Sequence, residues 1–168
     1  MGKIILISGG IKSGKSSFAL SFFNKNDRVY FIATAEAKDQ EMRKKIILHK
    51  KIRPKNFITI EEPVEIINKI SKLEKTSSVV VDCVNIWIAN MLGIYTNKKI
   101  LLNVESLCKC LENFKISIVV SNEVGMSLVS PNKLGRRFQE LLGTANQILA
   151  KLADEVYCMF CGLPIKIK

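Results

Sequence analysis

The chain has a single histidine, one tryptophan and four prolines in 168 residues. No apolar run in it approaches the roughly 18–20 residues that a membrane span needs. It also lacks internal repeats, low-complexity tracts and linker-like stretches. That leaves one domain, residues 1–168, long enough for a full core without staples. A lone histidine argues against a multi-histidine metal centre. Acidic residues are scarce, 15 against 26 Lys and Arg, for a net charge of +11. Five cysteines, an odd number, with no export signal read as reduced thiols. The first apolar stretch begins almost at Met1 and runs into a polar glycine loop, unlike a signal peptide, so the expected location is cytoplasmic.

The positive charge admits nucleic acid, an anionic membrane or anionic small molecules as partners. It is scattered and mostly lysine; the densest run is Arg43-Lys44-Lys45 through Lys50-Lys51 to Arg53 and Lys55. A nucleotide substrate accounts for part of it, and no nucleic-acid partner is expected.

Residues 9–16 read Gly9-Gly10-Ile11-Lys12-Ser13-Gly14-Lys15-Ser16, the pattern G-x-x-x-x-G-K-[ST]. Before it, Lys3-Ile4-Ile5-Leu6-Ile7-Ser8 reads as a buried strand; after it, residues 17–23 read as an apolar-faced helix. In this context backbone N–H groups curl round phosphate oxygens. Lys15 reaches the terminal phosphates and the Ser16 hydroxyl ligates Mg²⁺.

Beyond the loop, strand-like and helix-like runs alternate. Strands are expected at 29–33, 57–60, 78–82, 116–120, 155–160 and 165–167. Helices are expected at about 36–51, 64–73, 84–92, 98–114 and 133–153. The alternation predicts an α/β fold, a parallel sheet covered on both faces. In such a sheet ligands gather at the carboxyl ends of the strands. The polar residues there are Ser8, Thr34-Ala35-Glu36, Glu61-Glu62, Asp82-Cys83 and Asn122-Glu123. Asp82, after Val79-Val80-Val81, suits the acid that holds Mg²⁺ directly or through water; the competing reading is a helix N-cap.

His49 shares a helical face with Met42 and Ile46, at i, i+4 and i+7. Taken alone, that spacing favours a packed core histidine. Its neighbours Lys50, Lys51 and Arg53-Pro54 nevertheless suit anionic phosphate, and a neutral imidazole is a competent nucleophile. The residue before Pro54 avoids helical dihedrals, which puts Arg53 in an extended segment free to turn toward a ligand. Cys158-x-x-Cys161 and Cys108-x-Cys110 suggest zinc only weakly, and small buried hydrophobes fit them better.

With these pieces in order, the chain resembles the bifunctional adenosylcobinamide kinase/adenosylcobinamide-phosphate guanylyltransferases of cobalamin biosynthesis. The matching pieces span nearly the whole chain. They include the phosphate loop, Ile32-Ala33-Thr34-Ala35, His49 to Arg53-Pro54, Glu61-Glu62-Pro63, and Asp82-Cys83 with Trp87 and Asn90. Ser121-Asn122-Glu123-Val124-Gly125-Met126, Leu134-Gly135-Arg136-Arg137-Phe138 with Asn146-Gln147, and Gly162-Leu163-Pro164-Ile165-Lys166 continue the match.

The resemblance implies a RecA-like phosphate-loop fold and a homotrimer. Its implied substrates are GTP, ATP, adenosylcobinamide and its phosphate, with Mg²⁺ held at Ser16 and Asp82. It makes His49 the nucleophile that becomes guanylylated, and Lys15 the catalytic lysine. It places nucleotide contacts at Gly9, Gly10, Ile11, Lys12, Ser13, Gly14, Lys15 and Ser16. Further contacts fall at Thr34, Ala35, Glu36, Lys51, Ile52, Arg53, Pro54, Glu62, Asp82 and Cys83. One departure is Lys12, where the family usually carries arginine; lysine keeps the charge but loses the planar fork. A basic phosphate-loop NTPase acting on nucleic acid and a non-catalytic nucleotide-binding module are the alternatives.

Overall fold

The computed structural model describes residues 2–37, 39–51 and 53–168, and the side chains of these except Lys45, His49 and Lys51. Of the expected site positions, Ile52 and the side chains of His49 and Lys51 therefore lie outside the described residues.

Strands β1 (Lys3–Gly9), β2 (Val29–Ala33), β3 (Phe57–Glu61), β4 (Ser78–Asp82), β5 (Ile116–Val120), β6 (Glu155–Phe160) and β7 (Leu163–Lys166) form one sheet in the order β3-β2-β4-β5-β1-β6-β7. All pairings are parallel except β6 with β7. The continuous apolar runs of the central strands follow from burial on both faces. Ile4 and Leu6 of β1, Ile32 of β2, Val79 and Val81 of β4 and Val119 of β5 belong to one core. Their alternating neighbours Ile5, Ile7, Phe31, Val80 and Ile118 belong to the other, as the two-residue period of a strand requires. At about 1.5–3 kcal/mol per fully buried aliphatic side chain, this double burial outweighs any single cap or surface pair.

Helix α1 (Lys15–Leu20) serves the second core through Ala19 and the flanking Phe18. The first core takes α3 (Ile66–Ser71), α4 (Val84–Met91), α5 (Asn97–Leu111) and α6 (Lys133–Leu152). Ile100, Val104, Leu107, Cys108 and Leu111 make the buried stripe of α5, with Thr96 accepting the Lys99 N–H at its start. Leu141, Leu142, Ala145, Asn146 and Leu149 make that of α6, capped by Asn132.

Several boundaries differ from expectation for local reasons. Helix α1 stops at Leu20 because the Ser21 N–H is shared between the Ser17 and Phe18 carbonyls and the Ser21 hydroxyl donates to Phe18. Helix α2 (Gln40–Lys51) begins four residues later than predicted, where the Asp39 carboxylate accepts the Met42 N–H at 2.7 Å. Helix α3 is shorter than 64–73 because the Glu62 carboxylate takes the Val64 and Glu65 N–H groups first.

At the β6 end of the sheet, Glu155 accepts from Lys3 at 2.8 Å, Lys166 at 2.9 Å and the Tyr157 hydroxyl at 2.9 Å. These donors, Lys3 foremost, hold its carboxyl at about 2 instead of 4.5. A carboxyl depressed in the folded state stabilises above its ordinary pKa, and that contribution is lost as pH falls toward about 2. Urea midpoints compared at pH 5 and pH 2.5 should therefore fall less for Glu155→Gln than for the wild type. Equal falls would mean that the cluster contributes nothing to folding.

Candidate nucleotide-binding site

Residues at the carboxyl end of β1 build the loop. Gly9 has φ 143° and Gly14 φ 94°, backbone conformations that disfavour side chains. A Cβ on Gly9 would stand 2.7 Å from the Met159 carbonyl oxygen and 2.9 Å from the Ser13 hydroxyl. Lys12, at the loop's outer turn, has φ 57°. The β6–β7 turn grips the loop from one side, through the Gly162 N–H donating to the Ser13 carbonyl at 3.2 Å. The β5 end braces it from the other, through the Glu123 N–H on the Gly9 carbonyl at 3.1 Å.

Inside this turn Lys15 is 8% exposed. It donates to the Gly9 carbonyl at 2.9 Å, the Gly10 carbonyl at 2.5 Å and the Ser13 hydroxyl at 3.5 Å. Burial lowers its pKa, and the neighbouring Cys83 and Asp82 oppose that shift. The ammonium thus sits where terminal phosphates of a nucleotide in the loop would meet it.

Two strands away from β1 in the sheet, β4 delivers Asp82. The Ser16 hydroxyl donates to Asp82 Oδ2 at 3.1 Å across 66 residues of sequence. A hydroxyl and a carboxylate side by side beneath a phosphate loop are hard oxygen donors of the kind Mg²⁺ takes. Asp82 is joined to Cys83 by a cis peptide bond. Burial, with Asp82 next in effect, pushes the Cys83 thiol up to about 12. Burial also raises the Cys158 thiol.

Thr34, at the end of β2, is fully buried. Its hydroxyl donates to the Cys83 carbonyl at 2.9 Å and accepts the Cys83 N–H at 3.0 Å. It locks the β4 end to the β2 end. Asn90 of α4 continues that lock, its Nδ2 donating to the Thr34 carbonyl at 2.9 Å and the Pro63 carbonyl at 3.1 Å. One turn earlier on the same helix, Trp87 Nε1 donates to the Val64 carbonyl at 2.7 Å.

Beyond these ties a cleft of about 370 Å³ opens between α2 and the ends of β2 and β3. Ala35, Glu36, Arg43, Ile46, Ile47, Lys50, Glu61, Glu62 and Pro63 line it. Lys50 and Glu61 pair across it. The expected residues Ala35, Glu36 and Glu62 thus meet in one place. Arg43, Ile46, Ile47 and Lys50 join them without having been singled out as contacts. The basic run 43–55 and the Met42–Ile46–His49 face carried the signal for them.

Arg53 is not free, contrary to expectation. Its guanidinium lies 3.8 Å from the Phe31 ring centroid and donates to the Thr59 hydroxyl at 3.0 Å. Burial lowers its pKa, with Asp82 and Glu61 opposing. The stacked, desolvated geometry explains why the extended segment does not leave it loose. Pro54 closes the segment, its carbonyl accepting the Phe57 N–H at 3.1 Å.

Known proteins resemble this chain. A family model described as cobinamide kinase / cobinamide phosphate guanyltransferase matches residues 5–167. The bifunctional adenosylcobalamin biosynthesis protein CobP of Pseudomonas aeruginosa is 34% identical over 97% of this chain and 96% of its own length. The corresponding protein CobU of Escherichia coli is 31% identical over 98% of this chain and 99% of its own. Among solved structures, the RadB recombinase aligns with a TM-score of 0.53 at 14% identity, covering 94% of this chain and 74% of that one. The P4 protein of bacteriophage phi6, in complex with ADP, aligns with a TM-score of 0.51 at 15% identity over 97% of this chain and 52% of that one. These two likenesses show a RecA-like phosphate-loop fold and nothing further.

Proposed function

The chain belongs to the cobinamide kinase / cobinamide phosphate guanyltransferase family, and from that premise we propose that one nucleotide site serves two successive transfers. In the first, the hydroxyl of the aminopropanol arm of adenosylcobinamide attacks the γ-phosphorus of a nucleoside triphosphate. The bond to the β-phosphate oxygen breaks, the diphosphate leaves and the hydroxyl proton passes to solvent. In the second, an imidazole nitrogen of His49 attacks the α-phosphorus of GTP and pyrophosphate leaves. The adenosylcobinamide phosphate then displaces the imidazole, giving adenosylcobinamide-GDP.

The observation that carries this reading is the Ser16–Asp82 bond beneath the loop that encloses Lys15. It gives the site the parts of a phosphoryl-transfer centre. Mg²⁺ bound by Ser16 and Asp82 would neutralise charge on the phosphates. Lys15 binds the terminal phosphates and stabilises the negative charge that builds there. The cleft beside α2 is lined by Glu36, Glu61 and Glu62. Glu61 pairs with Lys50 and Glu62 accepts the Val64 and Glu65 N–H groups, and a base entering the cleft would draw these carboxylates to the N1–H and 2-amino donors of guanine. Adenine presents an acceptor at N1 and fits such a lining less well. His49 lies on α2, three residues after Ile46 of that lining. The same family likeness supports a homotrimer. It also supports a cytoplasmic setting, and among the described residues no helix is long and apolar enough to cross a membrane.

The test is reconstitution with adenosylcobinamide, ATP, GTP and Mg²⁺. The expected product is adenosylcobinamide-GDP with release of pyrophosphate. ATP hydrolysis stimulated by polynucleotide, with no cobinamide product, would favour the nucleic-acid reading instead.

One fixed histidine suits γ-phosphate transfer and α-phosphate attack at the same site poorly. A rigid shift of α2 is the simplest device, because most of the helix's described side chains are exposed or half-buried. Amide hydrogen exchange in residues 40–51 should slow when GTP is added. Unchanged exchange would sink the shift.

A further inference from the structure

We propose that Asn90 is a positioning residue that sets the distance between the metal end and the base end of the nucleotide site. This rests on the reading of the α2 cleft as the guanine pocket.

The register of the sheet places Ala33 opposite Asp82 on one side and opposite Glu61 on the other. The metal-binding carboxylate and the cleft floor are therefore separated by one strand, β2, about 9–10 Å from edge to edge at ordinary strand spacing. A bound nucleotide must span that step, with its phosphates in the loop and its base in the cleft. Beyond the last residues of the strands the ladder stops, and something else must hold the three chain ends level. The Glu62 N–H still bonds the Ala33 carbonyl and the Thr34 N–H the Asp82 carbonyl, at 3.1 and 3.3 Å. Further out, side chains take over. Thr34 clasps both backbone groups of Cys83, and the Asn90 amide uses its two donors on the Thr34 and Pro63 carbonyls. Asn90 thus reaches from α4 to the ends of β2 and β3 at once. It does not touch the loop, and it meets the cleft lining only at the Pro63 carbonyl, so it acts through the backbone of residues 34 and 63. Trp87, fully buried one turn earlier, fixes the helix that carries it.

Asn90→Asp keeps the shape of the side chain and replaces the donor nitrogen with an oxygen that faces two carbonyls. Asn90→Ala removes the amide. Each variant is measured for the GTP concentration that half-saturates protein guanylylation, for its maximal rate, and for its preference for GTP over inosine triphosphate, which lacks the 2-amino donor. Binding of inorganic tripolyphosphate, which needs the loop alone, reports the folded fraction. In both variants the half-saturating GTP concentration should rise about tenfold, equivalent to about 1.4 kcal/mol of lost positioning. The maximal rate and tripolyphosphate affinity should hold, and the preference for GTP over inosine triphosphate should fall. A merely structural asparagine would lower all activities with the folded fraction and leave that preference unchanged, which would overturn the proposal. Wild-type protein that takes no guanylyl group from GTP would overturn the underlying reading of the site, and the role of Asn90 with it.

Discussion

Replacing His49 with alanine is expected to stop guanylyl transfer while leaving phosphorylation of adenosylcobinamide running. The loss should be on the order of 10³-fold or more, the scale seen when a covalent nucleophile is removed. The chain has no second histidine to take over. Nor are Cys83 and Cys158 good substitutes, because burial pushes the first thiol up to about 12 and raises the second, so neither is a thiolate at neutral pH. The kinase step does not pass through the imidazole and needs the phosphate loop, which His49→Ala leaves in place. Parallel assays with ATP and adenosylcobinamide, and with GTP and adenosylcobinamide phosphate, read the two steps separately. Near-normal formation of adenosylcobinamide-GDP by the variant would show the mechanism to be wrong.

Lys15→Ala should depress both steps by about 10²–10³-fold, the usual cost of removing one charged donor from a transfer site. Lys15 is packed inside the loop on three oxygen partners. Its removal therefore also takes away the cation those oxygens surround, and calorimetry should show weakened binding of both triphosphates. Ser16→Ala should act in the same direction by deleting the hydroxyl that bonds Asp82. A smaller effect is expected, since the Asp82 carboxylate remains to receive the ion. Unchanged triphosphate affinity in Lys15→Ala would place the nucleotide elsewhere on the protein.

The parts of this site that were legible in the sequence are those whose chemistry is local. The strand, glycine loop and helix around residues 3–20 are contiguous, so their pattern could be read directly. Asp82 was legible because an apolar run ending in an acid marks a strand's carboxyl end. The start of α2 was not, because Glu36 and Ala37 favour helices intrinsically while Asp39 supplies the cap that decides where the helix begins. Arg53 was misjudged for a similar reason: its partners Phe31 and Thr59 lie on two strands that meet only in the folded sheet. The family resemblance makes Thr34 a nucleotide contact; what the sequence does not announce is that its hydroxyl bonds Cys83, 49 residues away. The bridge made by Asn90 spans 56 residues to Thr34 and 27 to Pro63, and no spacing rule within a helix could have announced it.

Peptide mapping by mass spectrometry after incubation with GTP and Mg²⁺ bears most directly on the guanylyl-histidine. A phosphoramidate on histidine is acid-labile and base-stable, but one on lysine shares that behaviour, so lability alone does not locate the bond. One GMP on the peptide that carries His49, discharged by adenosylcobinamide phosphate and absent from His49→Ala, is the result expected. GMP on the peptide that carries Lys15, or a competent enzyme that never carries GMP, would contradict it.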